Sequence, residues 1–310
     1  MTLKRLISTI LSLVWFLAMP GIGFADIYRS VSPYRDGFVA VSSGGMISLM
    51  DNDGETVGTI DTGAPGKLNA VSVFDGAIIV SGEKGFACSW DSTSSKVQKI
   101  KTGTQSSINA LAVFGECLIG ACDDGSVLTW TTPGKAPEKA KLEVKGRIVS
   151  LSADDKQCFG ITELGEIIST KDGVTWTVFD FNSTYVGYYG NVKFRGISVG
   201  LGSIAAAGVY ADSSRPAVFI SSRGTVWSER GLSYSVGSDT FELNETPLSI
   251  HYDAKRDSFI LACSDGVLFH IPGCSHCNRP EFLNSSDLFS IAFNGDAMLV
   301  AGANDFIVRF

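Results

Sequence analysis

The stretch LNAVSVFDGAIIVSGEKGFACSW (68–90) holds three short apolar runs rich in Val, Ile and Phe, interrupted at Asp75-Gly76 and again at Gly82–Gly85. Short runs of β-branched and aromatic residues bounded by Asp, Gly and Ser are the pattern of strands joined by tight turns. The reading is strand Leu68–Phe74, strand Ala77–Ser81, strand Phe86–Trp90 and a polar strand Lys96–Lys101, which together make one four-stranded antiparallel meander. The unit recurs along the chain. Val31, Val71, Leu111 and Leu151 stand 40 residues apart, and Gly45, Gly85, Gly125 and Gly165 keep the same step. Ile197, Ile250 and Ile291 continue the first ladder, Gly266 and Asp305 the second, so seven units are counted.

A lone meander of this size cannot bury both of its faces, so it must stack on copies of itself. A period of about 40 residues with four strands is the propeller solution. The expected fold is therefore all-β, a seven-bladed β-propeller of four-stranded blades, with no helix of ordinary length after residue 25. The last unit shows only Leu288–Phe293, Met298–Val300 and Phe306–Phe310 before the chain stops. Either that blade is short or residues near Asp26 do double duty in closing the ring.

Residues 1–25 read as a secretory signal: Lys4 and Arg5, an apolar Leu6–Met19, and Gly23-Phe24-Ala25 before a cut ahead of Asp26. Nothing later is apolar for long enough to cross a membrane, so the mature chain is expected to be extracytoplasmic, a single domain over 26–310. Losing Lys4 and Arg5 takes the formal charge from −7 to −9, which argues against nucleic acid as a partner. Hydrophobic residues at 45% against 18% charged describe a well-buried globular chain.

All 7 cysteines lie beyond the signal. Cys88, Cys117, Cys122, Cys158 and Cys263 fall in expected strands and read as small buried apolar residues. Cys274 and Cys277, in the polar turn Gly-Cys-Ser-His-Cys-Asn, are expected to form a local disulfide in an oxidising compartment. Two other readings stay open there: a redox couple, which wants a helix N-terminus, and a zinc site with His276, which wants a fourth ligand.

Ser169-Thr-Lys-Asp-Gly-Val-Thr-Trp176 and Ser221-Ser-Arg-Gly-Thr-Val-Trp227 resemble the Asp-box, or BNR repeat, a turn between the third and fourth strands of propeller blades. The other units resemble WD40-like secreted propellers only in general pattern, with Ser-Trp-Asp (89–91) and Thr-Trp-Thr (129–131) in the corresponding place. In such a turn an oxygen caps exposed amides, Gly takes a positive φ and Trp packs between blades. Both copies depart from the pattern, with Lys171 where the Asp is expected and Ser222-Arg223 in the second copy. The resemblance implies fold rather than chemistry, because Asp-boxes occur in sialidases and in many non-enzymatic propellers alike.

A sialidase-like enzyme would need an arginine triad and a Tyr–Glu pair. Tyr28-Arg29-Ser30-Val31 only partly echoes the family's first Arg motif, and Phe194-Arg195-Gly196-Ile197 comes too late in the chain. With 3 His and no metalloprotease, serine-hydrolase or phosphate-loop motif, neither catalysis, nor a metal, nor a cofactor is expected. Asp51-Asn52-Asp53-Gly54 opens like a calcium loop, but Thr62 stands where Glu is required, so it reads as a hairpin turn. A glycan-acting Asp-box enzyme is the alternative to a binding protein.

The repeat stretches between Gly165 and Gly266 at three places, 180–192, 209–216 and 229–246. In a meander, the link from an outer strand to the next blade and the link between second and third strands leave on the same edge. All three insertions should therefore lie on one face. They carry Tyr185, Tyr188, Tyr189, Tyr210, Asp212, Arg215 and Tyr234, with Arg195 at their base, the composition of a recognition surface for a protein or glycan partner.

Overall fold

The computed structural model describes residues 26–200, 202–273 and 278–310, which form seven blades of antiparallel sheet in a ring. The innermost strands are Tyr28–Tyr34, Leu68–Phe74, Ile108–Phe114, Ile148–Ala153, Val192–Gly200, Pro247–Asp253 and Leu288–Asn294. Each abuts the next, and the seventh abuts the first. Within every blade the strands follow chain order from the axis outward. All seven residues of the aliphatic ladder fall on these inner strands, where Val31, Val71, Ile197, Ile250 and Ile291 are buried and Leu111 and Leu151 half-buried.

The core lies in the seams between blades. Val71 packs with Val39 and Val41 of the first blade, and Val31 with Ala292 and Leu299 of the seventh. Each fully buried aliphatic side chain of this kind contributes roughly 1.5–3 kcal/mol, so the stacking faces hold the ring. The second ladder marks the turns between second and third strands. Gly45, Gly85, Gly125, Gly165 and Gly266 all have φ between 67° and 90°, Asp305 takes the same left-handed region at 57°, and in blade 5 Ser214 does so at 59°.

The seventh blade has three strands, Leu288–Asn294, Ala297–Gly302 and Ile307–Arg309, and residues near Asp26 take part in closure as well. The Asp26 amide donates to Asp305 Oδ1 at 2.8 Å, and the Asp305 amide donates back to the Asp26 carbonyl at 2.9 Å. The Asp26 carboxylate accepts from the Ser43 hydroxyl and the Gly44 amide, so this residue clasps blade 7 to blade 1. The clasp stands in for a shared outer strand.

Two features differ from the sequence reading. Helix α1, Phe181–Tyr189, follows the outer strand of blade 4, where no helix was expected. The outer strand of blade 5 is only Ser228–Glu229, and a two-stranded hairpin, Ser233–Val236 with Asp239–Glu242, fills the third insertion. Nine residues are too few for a helix to hold itself in water, so α1 depends on its ends and its contacts. Asp180 caps it by accepting from the Ser183 amide at 2.9 Å, and Gly190 ends it at φ 74°. Phe181 anchors it in the seam between blades 4 and 5, with ring centroids 4.7 Å from Phe219 and 5.1 Å from Phe194.

Every inner strand is also bulged at the same place. One residue is skipped in the pairing with the second strand: Arg29, Asn69, Asn109, Val149, Arg195, Leu248 and Phe289. Each stands two before its ladder residue, and in six of the seven the next residue is Ser or Ala, with Gly196 the exception. A bulge frees a side chain from the regular alternation and re-aims it.

Polar side chains stitch neighbouring inner strands together. The Ser30, Ser150 and Ser290 hydroxyls accept from the amides of Val71, Ile197 and Val31 at 3.2–3.3 Å. At the seam between blades 6 and 7 the acceptor is His251 Nε2, which receives the Ile291 amide at 3.3 Å. Burial pulls the His251 pKa down to about 4, and no charged neighbour contributes. The unfolded chain therefore takes up the proton first, near pH 6.5, and stability falls as pH drops from about 6.5 toward 4. Because one edge of the ring meets the central channel, the expected loss is about 1–3 kcal/mol. Urea unfolding at pH 7.5 and 5.0 should show it in the native chain and not in His251→Asn. Equal pH dependence in the two proteins would overturn this role.

Candidate functional site

The first two insertions meet on one face and reach the outer strand of blade 5, whereas the hairpin of the third packs on blade 6, where Asn278 Nδ2 donates to the Gly231 and Ser233 carbonyls at 3.0 and 2.8 Å. The Ala211 amide donates to the Asn191 carbonyl at 2.8 Å, linking first to second, and Arg215 pairs with Glu229 at 3.2 Å, linking second to the start of the third. Tyr188, Tyr189, Tyr210, Asp212, Ser213, Arg215 and Glu229 line a shallow cavity of about 310 Å³ there.

The tyrosines split by role. Tyr188 on α1 is 84% exposed and free to meet a partner. Tyr185 is half-buried, its hydroxyl accepting from the Trp227 amide at 3.1 Å, which ties α1 to blade 5. Tyr189 stacks against Phe181 and Phe219. Tyr210 is buried, with the Arg215 guanidinium 4.4 Å above its ring. Burial and a hydrogen bond to the Glu229 carboxylate hold its hydroxyl well above the usual phenol range. Truncating Tyr210 would thus open a core cavity instead of reporting on a partner, which narrows the sequence reading. Tyr234 sits apart in the hairpin, stacked on Phe241 and edge-on to Phe269 of blade 6. Arg195 also lies elsewhere, in the central channel.

Sequence reasoning missed several exposed apolar side chains: Val186 beside Tyr188 on α1 and, apart from them, Val236 and Phe241 on the hairpin. The signal available was the cap pair Asp180 and Gly190, ten residues apart, around a segment otherwise rich in strand formers.

The opposite face carries the two box-like turns. In the first, Asp172 Oδ1 accepts from the Val174 and Thr175 amides at 2.9 and 2.7 Å, and Thr170 Oγ1 accepts from Gly173 at 2.9 Å. Those bonds pull the Asp172 pKa down to about 2. In the second, the Ser221 hydroxyl accepts from the Arg223 and Gly224 amides, and Trp227 Nε1 donates to the Gly224 carbonyl at 3.0 Å. Gly173 and Gly224 have φ 74° and 77°. Asp51 likewise accepts from the Asp53 and Glu55 amides in a plain hairpin turn.

The central channel, about 610 Å³, is lined by the seven inner strands. Among the described residues that line it there is no Asp or Glu. Among the described residues no three His, Cys, Asp or Glu side chains gather as metal ligands. Cys88, Cys122 and Cys158 are free and buried, their thiols pushed up to about 12 by desolvation, and Cys263 is raised in the same way. Cys117 is free and half-buried. The expected Cys274–Cys277 disulfide lies outside the described residues, as does the signal segment.

No protein-family model matches the sequence, and no curated protein matches it. Among solved structures, the crystal structure of the computationally designed protein Ika8 is similar, with TM-score 0.62 and 10% identity over 93% of this chain and 97% of that one. The chain is a seven-bladed β-propeller. An identity of 10% carries the fold and nothing finer. In this propeller the two surfaces with distinctive chemistry are the insertion face of blades 4–6 and the mouth of the central channel.

Proposed function

We propose that this chain is an extracytoplasmic, non-enzymatic binding propeller that takes a protein partner on the insertion face. The observation that carries the reading is the meeting of α1 and the 211–215 turn on one side of a stiff ring, around a shallow cavity edged by Tyr188. Exposed Tyr188 and Val186 on this face provide the kind of apolar and aromatic contacts that anchor protein interfaces. Their neighbours Tyr185, Tyr189 and Tyr210 preorganise the surface by packing beneath it. The geometry of the turns at 170–176 and 221–227 supports reading them as degenerate Asp-box repeats, and the signal-like first 25 residues support export. Glu229 and Arg215 hold the middle of the face together through their ion pair.

A photo-crosslinking side chain at position 188 should capture a protein in the extracytoplasmic fraction, and one at Val226 on the opposite face should not. With that partner purified, Tyr188→Ala is expected to weaken binding about tenfold while leaving the melting temperature within a few degrees, because the ring is almost wholly exposed. Unchanged binding would remove the site. A glycan array that labels this face, with no protein adduct, would replace the protein partner with a glycan.

A further inference from the structure

The mouth of the central channel on the insertion side is formed by the seven bulged residues, because inner strands begin on that edge. Its two formal charges are both positive, Arg29 of blade 1 and Arg195 of blade 5. In a chain with 32 acidic residues, a cavity bordered by all seven blades and lined by no Asp or Glu is a marked exclusion of negative charge. Neither arginine makes an ion pair among the described residues. The Arg29 guanidinium lies over the Phe289 ring at 5.5 Å, and its Nε is buried with no hydrogen-bond acceptor. A buried guanidinium N–H without a partner in the chain calls for an acceptor, a water or a ligand.

The surrounding ring supplies the remaining chemistry. Asn69 and Asn109 bridge to the Ile108 and Ile148 carbonyls through Nδ2, and Asn109 also donates to Asp123 at 2.6 Å. That hydrogen bond holds the carboxylate at the blade 3 rim. Val149, Leu248 and Phe289 complete the ring with apolar walls. By contrast, the larger cleft between blades 1 and 2, about 950 Å³, mixes Arg35 and Lys96 with Asp75 and Asp91 and favours neither sign.

We propose that the channel mouth binds a small dicarboxylate, one carboxylate on Arg29 and the other on Arg195, with its carbon chain against Leu248 and Phe289. Planar guanidinium forks on separate blades match two planar carboxylates, each able to accept two parallel N–H bonds. The cavity volume lies in the range of small-ligand sites. This site uses blades 1 and 5 through 7 at the axis, so it stands whether or not the insertion face is the protein-contact surface.

Calorimetric titration of the full propeller with succinate, glutarate, acetate and inorganic phosphate tests it. One dicarboxylate should bind at a single site, at least about tenfold more tightly than acetate, and more weakly as NaCl is raised. Arg195→Met and Arg29→Met should each weaken that binding about tenfold or more, and Arg223→Met on the opposite face should leave it unchanged. Because Arg195 is exposed, its variant keeps the fold, which a matching melting curve checks, and its result stands even if Arg29→Met is destabilised. The proposal is overturned if neither dicarboxylate binds below about 10 mM, if Arg195→Met binds like the native chain, or if phosphate binds more tightly than both dicarboxylates.

Discussion

Phe181→Ala is expected to lower the melting temperature by about 10 °C. The side chain is fully buried, and five aromatic partners surround it: Tyr185, Tyr189, Phe194, Phe219 and Trp227. Removing a fully buried phenyl ring costs about 3–5 kcal/mol, and each kcal/mol shifts the midpoint by roughly 2–4 °C in a chain of this size class. The loss should also loosen α1, leaving only the lesser contacts of Tyr185, Tyr189 and Asn182 to hold it against the seam. Hydrogen exchange would then show Thr184–Tyr189 less protected while blades 1–3 keep their native protection. A midpoint shift under about 2 °C would mean that the helix is not anchored in this way.

The second large effect concerns the closure. Asp26→Ala removes the acceptor for the Ser43 hydroxyl and the Gly44 amide, and it loosens the segment that pairs with Asp305. The expected cost is about 2 kcal/mol. Burial alone would raise the Asp26 pKa, but hydrogen bonds from Ser43, Ile27 and Gly44 outweigh it and hold the carboxyl below its ordinary value. This contribution is therefore complete above the unfolded value near 4 and disappears as pH falls through the lower native value. Asp305→Ala should destabilise similarly, and the double variant less than additively, because both residues belong to one clasp. Additive losses, or no loss in either single variant, would show that the ring closes by other means. Cleavage just before Asp26 would place an ammonium group opposite the Asp305 carboxylate and strengthen this clasp.

Most of the architecture was legible in the chain because it is written many times. Leu68–Phe74 is a strand with the very limits the apolar run suggested, and the polar outer strand Lys96–Lys99 ends two residues short of its reading. The steady 40-residue step carried that certainty from blade to blade. Helix α1 escaped notice because Thr184, Tyr185, Val186 and the paired tyrosines have strand preferences, which tertiary packing on Phe181 overrides. Strand order alone dictates on which edge the links emerge, so the sequence placed the links that carry Tyr188 and Tyr210 on a common edge of the ring. It could not separate exposed Tyr188 from buried Tyr210, because depth within a seam depends on residues distant in the chain, such as Glu229 above and Phe219 beneath. The bulges were hidden for a different reason. A skipped residue looks locally like one more strand residue, and only pairing reveals it.

Those seven skipped residues separate two kinds of information. Ladder residues must satisfy the blade on either side and so are constrained by neighbours across each seam. A bulged residue has no pairing partner to satisfy, and at Val149, Arg195, Leu248 and Phe289 no side-chain hydrogen bond to a neighbouring blade is made either. Exchange at Arg195 or Leu248 therefore alters what the ring presents to a ligand with little effect on how the ring is held, whereas Asn69 and Asn109 bridge to the next blade and Val149 packs into a core cluster. The propeller thus carries a vocabulary at its axis that can be respelled one blade at a time, most freely where the bulged side chain holds no neighbouring blade.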